Sequence, residues 1–207
     1  MLRVDLAVPS ADTSAAQRLG AHWDADKHTW YVPENRDASP FAQWFPPAQA
    51  PNIRSERYWI ASARLACWRC RGTSHIHGFA LPAGYETLEV DDESGAEAWE
   101  SVDEPTFVCY LDYVLPAAIQ SMRQRTADYR YSYRRSSQTF YWANCCGQCG
   151  AKLGDYDAFC EPGQGFMPLT RDQASEITLT AVEAPFAATA GGWSLGDELF
   201  EFMTLRA

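Results

Sequence analysis

Two Cys-x-x-Cys pairs, Cys67-Trp68-Arg69-Cys70 and Cys146-Gly147-Gln148-Cys149, lie 75 residues apart in a chain of 207. Two residues between cysteines let one tight turn present both sulfurs to the same point, and two such turns supply the four ligands of a tetrahedral site. Any fold for this chain must then bring residues near 67 and near 146 together. Each pair follows an aromatic segment of strand character, Tyr58-Trp59-Ile60-Ala61 before the first and Thr139-Phe140-Tyr141-Trp142 before the second. Four thiolates so arranged point to one structural zinc ion per chain that closes a long insertion and contributes to folding. The competing reading makes the pairs separate buried thiols, or one of them a redox dithiol. Cys145 is offset by one residue, so Cys146 fits the two-residue gap and Cys145 reads as a core or spare thiol. Cys109 and Cys160 stand outside the motif, as buried structure or as ligands of a second ion. An odd cysteine count, seven, without an export signal favours reduced thiols over a bridged scaffold.

Periodicity organises the rest into an α+β fold with two parts. In residues 1–47, Arg3 to Val8 alternates as a strand, and Asp12-Thr13 caps a helix that runs to Leu19 before Gly20. Thr29 to Val32 follows as a strand, and Ser39-Pro40-Phe41 opens another helical turn. Trp23 and Trp30 are expected in a small core, with Asp24 capping the turn after it. Prolines between residues 46 and 55 mark a crossing to a larger zinc-ribbon-like domain, residues 56–207. There Thr73 to Leu81 returns as a strand, and Glu86 to Glu104, with nine acidic and no basic residues, is expected to be a solvent-facing loop. Phe107 to Val114 enters the core, and Pro116 to Arg125 forms a helix that buries Ile119 and Met122. Tyr129, Tyr131 and Tyr133 alternate as a strand, Ile177 to Val182 is the last clear strand, and the pattern weakens from Ala187 to Gly192. Leu199 to Leu205 is a short terminal helix or strand.

Residues 3–45 resemble a small domain of unknown function found as an accessory module in plasmid primases and other bacterial mobile-element proteins. The resemblance rests on Leu6-Ala7-Val8-Pro9, on Leu19-Gly20-Ala21-His22-Trp23-Asp24, and on Lys27-His28-Thr29-Trp30-Tyr31-Val32-Pro33. Such domains carry more basic helix positions than this one, which has Thr13 and Gln17 there. The second part is similar to zinc-ribbon-like regions, on Thr139 to Trp142, Cys146-x-x-Cys149 and Gly154-Asp155-Tyr156. That similarity implies metal ligation and names no partner.

A net charge of −10 excludes a protein whose whole surface tracks nucleic acid, because such affinity comes from Lys and Arg displacing counterions. A local patch remains open: Arg123, Arg125, Arg130, Arg134 and Arg135 interleave with Tyr129, Tyr131 and Tyr133, able to contact phosphates and stack on bases. The tyrosines equally suit the core face of a strand. The leading expectation is a noncatalytic, zinc-stabilised protein that binds another protein through its aromatic surface. Nucleic-acid binding is the alternative, and a metal-dependent hydrolase using Asp155, Asp157 and Glu161, with His75 or His77 as base, is a more distant one. No phosphate loop, serine triad or zinc-protease motif accompanies them. With no apolar run long enough to span a bilayer and no signal segment, the expected location is the cytoplasm, away from membranes. Oligomeric state is left open.

Overall fold

Alternating apolar and polar residues need a partner sheet face, and the many strands of this chain are arranged to supply one. The computed structural model describes residues 3–34, 36–46, 50–194 and 198–206. It divides into two compact units, Met1–Ala48 and Gln49–Ala207. The expected junction runs through Pro47, which lies outside the described residues.

In unit 1, β1 (Arg3–Leu6) precedes α1 (Thr13–Leu19), β2 (His22–Asp24) and β3 (Thr29–Pro33). These strands form an antiparallel sheet in the order β1-β3-β2. Gly20, at φ 95°, ends α1 in the left-handed conformation. Asp12 precedes the helix without capping it by its side chain; its carboxylate instead accepts from Trp44 Nε1 at 3.0 Å. Asp24 accepts the Asp26 and Lys27 N–H groups, as a turn cap does, and also pairs with Arg3. The core holds Leu6, Trp30, Val32, Phe41 and Trp44. Trp23 corrects the expectation, being 49% exposed. It packs on Trp30 with ring centroids 5.4 Å apart, but β2 is an edge strand and its outer flank is open.

Unit 2 contains β4 (Ile53–Ser55), β5 (Tyr58–Ala66), β6 (Thr73–Leu81), β7 (Tyr85–Val90), β8 (Glu97–Val102) and β9 (Thr106–Val114). Then come α2 (Pro116–Arg123), β10 (Tyr129–Arg134), β11 (Thr139–Asn144), a π-helical turn (Tyr156–Cys160), α3 (Arg171–Ser175), β12 (Thr178–Val182), β13 (Phe186–Ser194) and β14 (Thr204–Arg206). Its sheet runs β14-β12-β5-β6-β9-β13-β4-β7-β8, with the β10-β11 hairpin joined to β9 through Trp142 and Leu111. Mixed helix and strand in a small first unit, followed by a larger β-rich region with the Cys pairs split by an insertion, is the expected fold class.

Two segments differ from expectation. The acidic stretch from Glu86 to Glu104 is the β7-β8 hairpin rather than a loop. Tyr85 and Thr87 point inward from it while the acids face solvent, and Asp91 closes its turn by accepting from the Glu93 and Ser94 N–H groups. Arg54 binds Glu86 at 2.6 Å and lies 4.1 Å from the centre of the Trp99 ring, tying the hairpin to β4. The second is the small-residue run from Ala187 to Gly192, which lies inside β13 between β9 and β4. A Cβ at Gly191 would sit 3.0 Å from Tyr110 Cβ, so the two strands approach closely only because the position is glycine.

Candidate metal centre

Each cysteine pair sits in a turn that its own backbone closes. The first links β5 to β6: the Cys67 N–H donates to the Gly72 carbonyl at 2.9 Å, and the Arg71 N–H donates to the Cys67 carbonyl at 2.9 Å. The second follows β11 and repeats the pattern, with the Cys146 N–H on the Ala151 carbonyl and the Gly150 N–H on the Cys146 carbonyl, both at 2.8 Å. Arg71 and Gly150 occupy equivalent places, at φ 62° and φ 69°. Two matching knuckles thus face each other, each presenting its sulfurs inward.

The four sulfurs lie within 4.8 Å of one another. Cys67 Sγ is 3.7 Å from Cys149 Sγ, and Cys70 Sγ is 3.7 Å from Cys146 Sγ. Disulfide sulfurs stand about 2.05 Å apart. An ion about 2.3 Å from each of four sulfurs in a tetrahedron separates them by about 3.8 Å. The spacing therefore fits a shared metal ion and not bridges. Cys145, buried outside the cluster, faces Lys152 across an isolated bridge.

At Cys67 and Cys146 the surroundings favour the thiolate form that ligation requires. Cys146 is drawn down to about 6, first by the Ser74 hydroxyl and then by the Cys149 N–H. Cys67 is lowered chiefly by the Cys70 N–H. For Cys70 the Gly72 N–H pulls downward, but burial and the adjoining thiols prevail and push it up to about 11. Side chains lace the knuckles together. Gln148 Nε2 donates to the Thr73 carbonyl at 3.3 Å, and Trp68 Nε1 donates to the Lys152 carbonyl at 2.9 Å although the indole is 60% exposed.

The remaining sequence candidates are dispersed. Among the described residues no other group of three or more Cys, His, Asp or Glu brings ligand atoms together. Asp155 does not join Asp157 and Glu161 around an ion; it is buried, and its carboxylate accepts the Tyr110 N–H at 2.6 Å. Cys109 is a buried thiol pushed up to about 12, first by burial. Tyr129 is a core ring, 3% exposed and stacked on Trp142 at 5.9 Å, so it offers no face to a base. Tyr131 and Tyr133 pack on Phe140. Arg130 pairs with Asp128 at 3.0 Å, and the Arg134 guanidinium lies over Tyr110 and Tyr141. Arg123 and Arg135 are exposed, and Arg125 lines a groove with His75 and His77. The sequence reading missed Ser74 and Gln148 as supports of the cluster; their places beside the two cysteine pairs were the available signal.

No helix among the described residues is long and apolar enough to cross a membrane. No solved structure matches the chain significantly. Two matches to proteins called DNA primase TraC, from Escherichia coli, are partial. One is 49% identical over 37 residues, 18% of this chain and 3% of the relative. The other is 32% identical over 77 residues, 28% of this chain and 7% of the relative. The chain thus spans less than a tenth of either relative. Residues 3–46 match the family described as "Domain of unknown function (DUF5710)". The chain therefore carries an N-terminal domain of that family, followed in sequence by a β-rich region that holds the four-cysteine cluster.

Proposed function

We propose that the four cysteines hold one structural zinc ion and that the chain is a noncatalytic accessory module that contacts nucleic acid. Zinc is favoured by the donor set. Four soft thiolates at tetrahedral spacing complete its preferred coordination and leave no open position for the water a catalytic zinc activates. The observation that carries the nucleic-acid half is the sequence shared with proteins named DNA primase TraC. The acidic net charge confines such contact to a local surface.

A protein partner is the second reading, and Trp68 favours it. Its ring is held by the Lys152 carbonyl yet is 60% exposed on the first knuckle, the form of an interface anchor.

Elemental analysis of protein purified under reducing conditions, joined to fluorescence anisotropy with labelled single-stranded and duplex DNA, tests both halves. The expected result is one zinc per chain and binding that weakens steeply as salt rises. Protein that is folded and free of metal overturns the zinc assignment. Absence of binding to either DNA at low salt overturns the nucleic-acid half and turns attention to Trp68.

A further inference from the structure

Strand alternation gives one region of unit 2 two unlike faces. On β5, Ala61, Ala63 and Leu65 enter the core that lies behind the cysteine cluster, while Ser62 and Arg64 point to the opposite side. On β6, Ile76 enters that core while His75 and His77 point away. Register then sets these groups side by side. Arg64 lies opposite His75 and Ser62 opposite His77. Thr178 of β12 lies opposite Ser62, and Arg206 of β14 lies opposite Thr180. Arg125, just beyond α2, completes the wall of an open groove of about 370 Å³.

The chemistry of this groove is unlike that of the chain around it. Three guanidinium groups, Arg64, Arg125 and Arg206, and two imidazoles face a single carboxylate, Glu176, on a protein whose net charge is −10. Among the described residues none of the three guanidiniums has a carboxylate within ion-pair distance. Ser62, Thr178 and Thr180 add hydroxyl donors to the floor. The frame is braced, because the His77 N–H and carbonyl both bond the Asn144 side-chain amide at 2.8 Å. Burial lowers the His77 pKa, and His75 and Arg125 lower it further, against an opposing pull from Asp128. Guanidiniums without carboxylate partners beside hydroxyls form a donor set for phosphate recognition, and no Phe, Tyr or Trp ring lines the groove to hold a base.

We propose that this groove is a phosphate-binding site and that its occupant is the backbone of a nucleic-acid strand. The inference rests on the nucleic-acid reading above and moves the contact away from the arginine and tyrosine segment at residues 123–135 that sequence alone suggests; only Arg125 is shared.

The test uses the full metal-loaded chain, the double variant Arg64→Gln/Arg206→Gln, and Arg123→Gln as a control outside the groove. Arg64 and Arg206 are exposed, so the double variant is expected to retain its metal and fold. Binding of a labelled single-stranded oligonucleotide is measured across a salt series. Imidazole signals of His75 and His77 are followed by NMR during titration with the oligonucleotide and, separately, with inorganic pyrophosphate. The double variant is expected to lose on the order of tenfold in affinity and about 1.4 in salt slope, the share of two phosphate contacts on a single strand, with Arg123→Gln close to the parent. The oligonucleotide is expected to move both histidine signals. Oligonucleotide binding unchanged by the double variant overturns the groove and leaves the nucleic-acid reading standing. Histidine signals that respond to pyrophosphate while no oligonucleotide binds overturn the backbone assignment and the nucleic-acid reading, with a small phosphate compound as the ligand. No response to either overturns both.

Discussion

Asp155 carries the clearest conflict between burial and charge in unit 2. Its carboxylate accepts the N–H of Tyr110, a residue of β9 at φ 53°. Burial raises its pKa to about 7, against the opposing pull of the Tyr110 N–H and of Arg134 and Lys152. The folded value stands above the ordinary 3.8, so the folded chain holds this proton more tightly than the unfolded one. That contribution to stability is complete below about pH 4 and is lost as pH rises through about 7. At about 1.4 kcal/mol per pH unit, the loss is roughly 4 kcal/mol. Asp155→Asn keeps an oxygen for the Tyr110 N–H and cannot ionise. The difference in urea-unfolding free energy, variant minus parent, should therefore grow in the variant's favour between pH 4 and 7, with metal and other carboxylates common to both. Parallel pH curves for the two proteins would contradict the assignment.

At the scale of elements, the two knuckles show a backbone strain that differs between equivalent positions. Gly150 adopts φ 69° at no steric cost, while Arg71 adopts φ 62° with a side chain attached. Nothing lies within 4 Å of a Cβ built on Gly150, so Gly150→Ala isolates the backbone term and should cost about 1 kcal/mol. Arg71→Gly should gain roughly 0.5 kcal/mol, relief of strain being partly offset by the freer unfolded chain. Chemical denaturation of the metal-loaded proteins checks both signs; effects of the same sign would show that the knuckles are not equivalent. The knuckles were legible because a metal site imposes its spacing locally, and the strands leading into them because β5 and β11 are rich in aromatic residues. The β7-β8 hairpin was not legible, since β8 buries almost nothing and its composition is that of a loop. Nor was β13, where alanine and glycine satisfy close contacts with Tyr110 and Cys109 that only the pairing with β9 creates. The basic groove has no local signature at all, because it is assembled by register among β5, β6, β12 and β14, across residues 62 to 206.

For the molecule as a whole, the two units have unlike sources of stability. Unit 1 has its own small core around Leu6, Trp30, Val32, Phe41 and Trp44, while all four cysteines belong to unit 2. Unit 2 places Cys67 and Cys146 in one cluster with Ala63, Leu65, Ile76, Leu153 and Phe159, so the sulfur site is continuous with the apolar core. Removal of the ion leaves up to four thiolates converging within 4.8 Å, and their repulsion falls on the same residues that pack the β5-β6 hairpin. On the zinc reading, metal binding would be part of the folding free energy of unit 2 and not of unit 1. Chelation under reducing conditions should collapse the dispersed NMR signals of Ile76 and Leu153 while the indole signals of Trp30 and Trp44 keep their positions, and restoring zinc should return the lost set. Cys67→Ser or Cys146→Ser should reproduce the chelated spectrum without chelator. Joint loss of both sets would show that unit 1 depends on unit 2, and survival of the Ile76 and Leu153 signals without metal would remove the ion from the folding of the sheet.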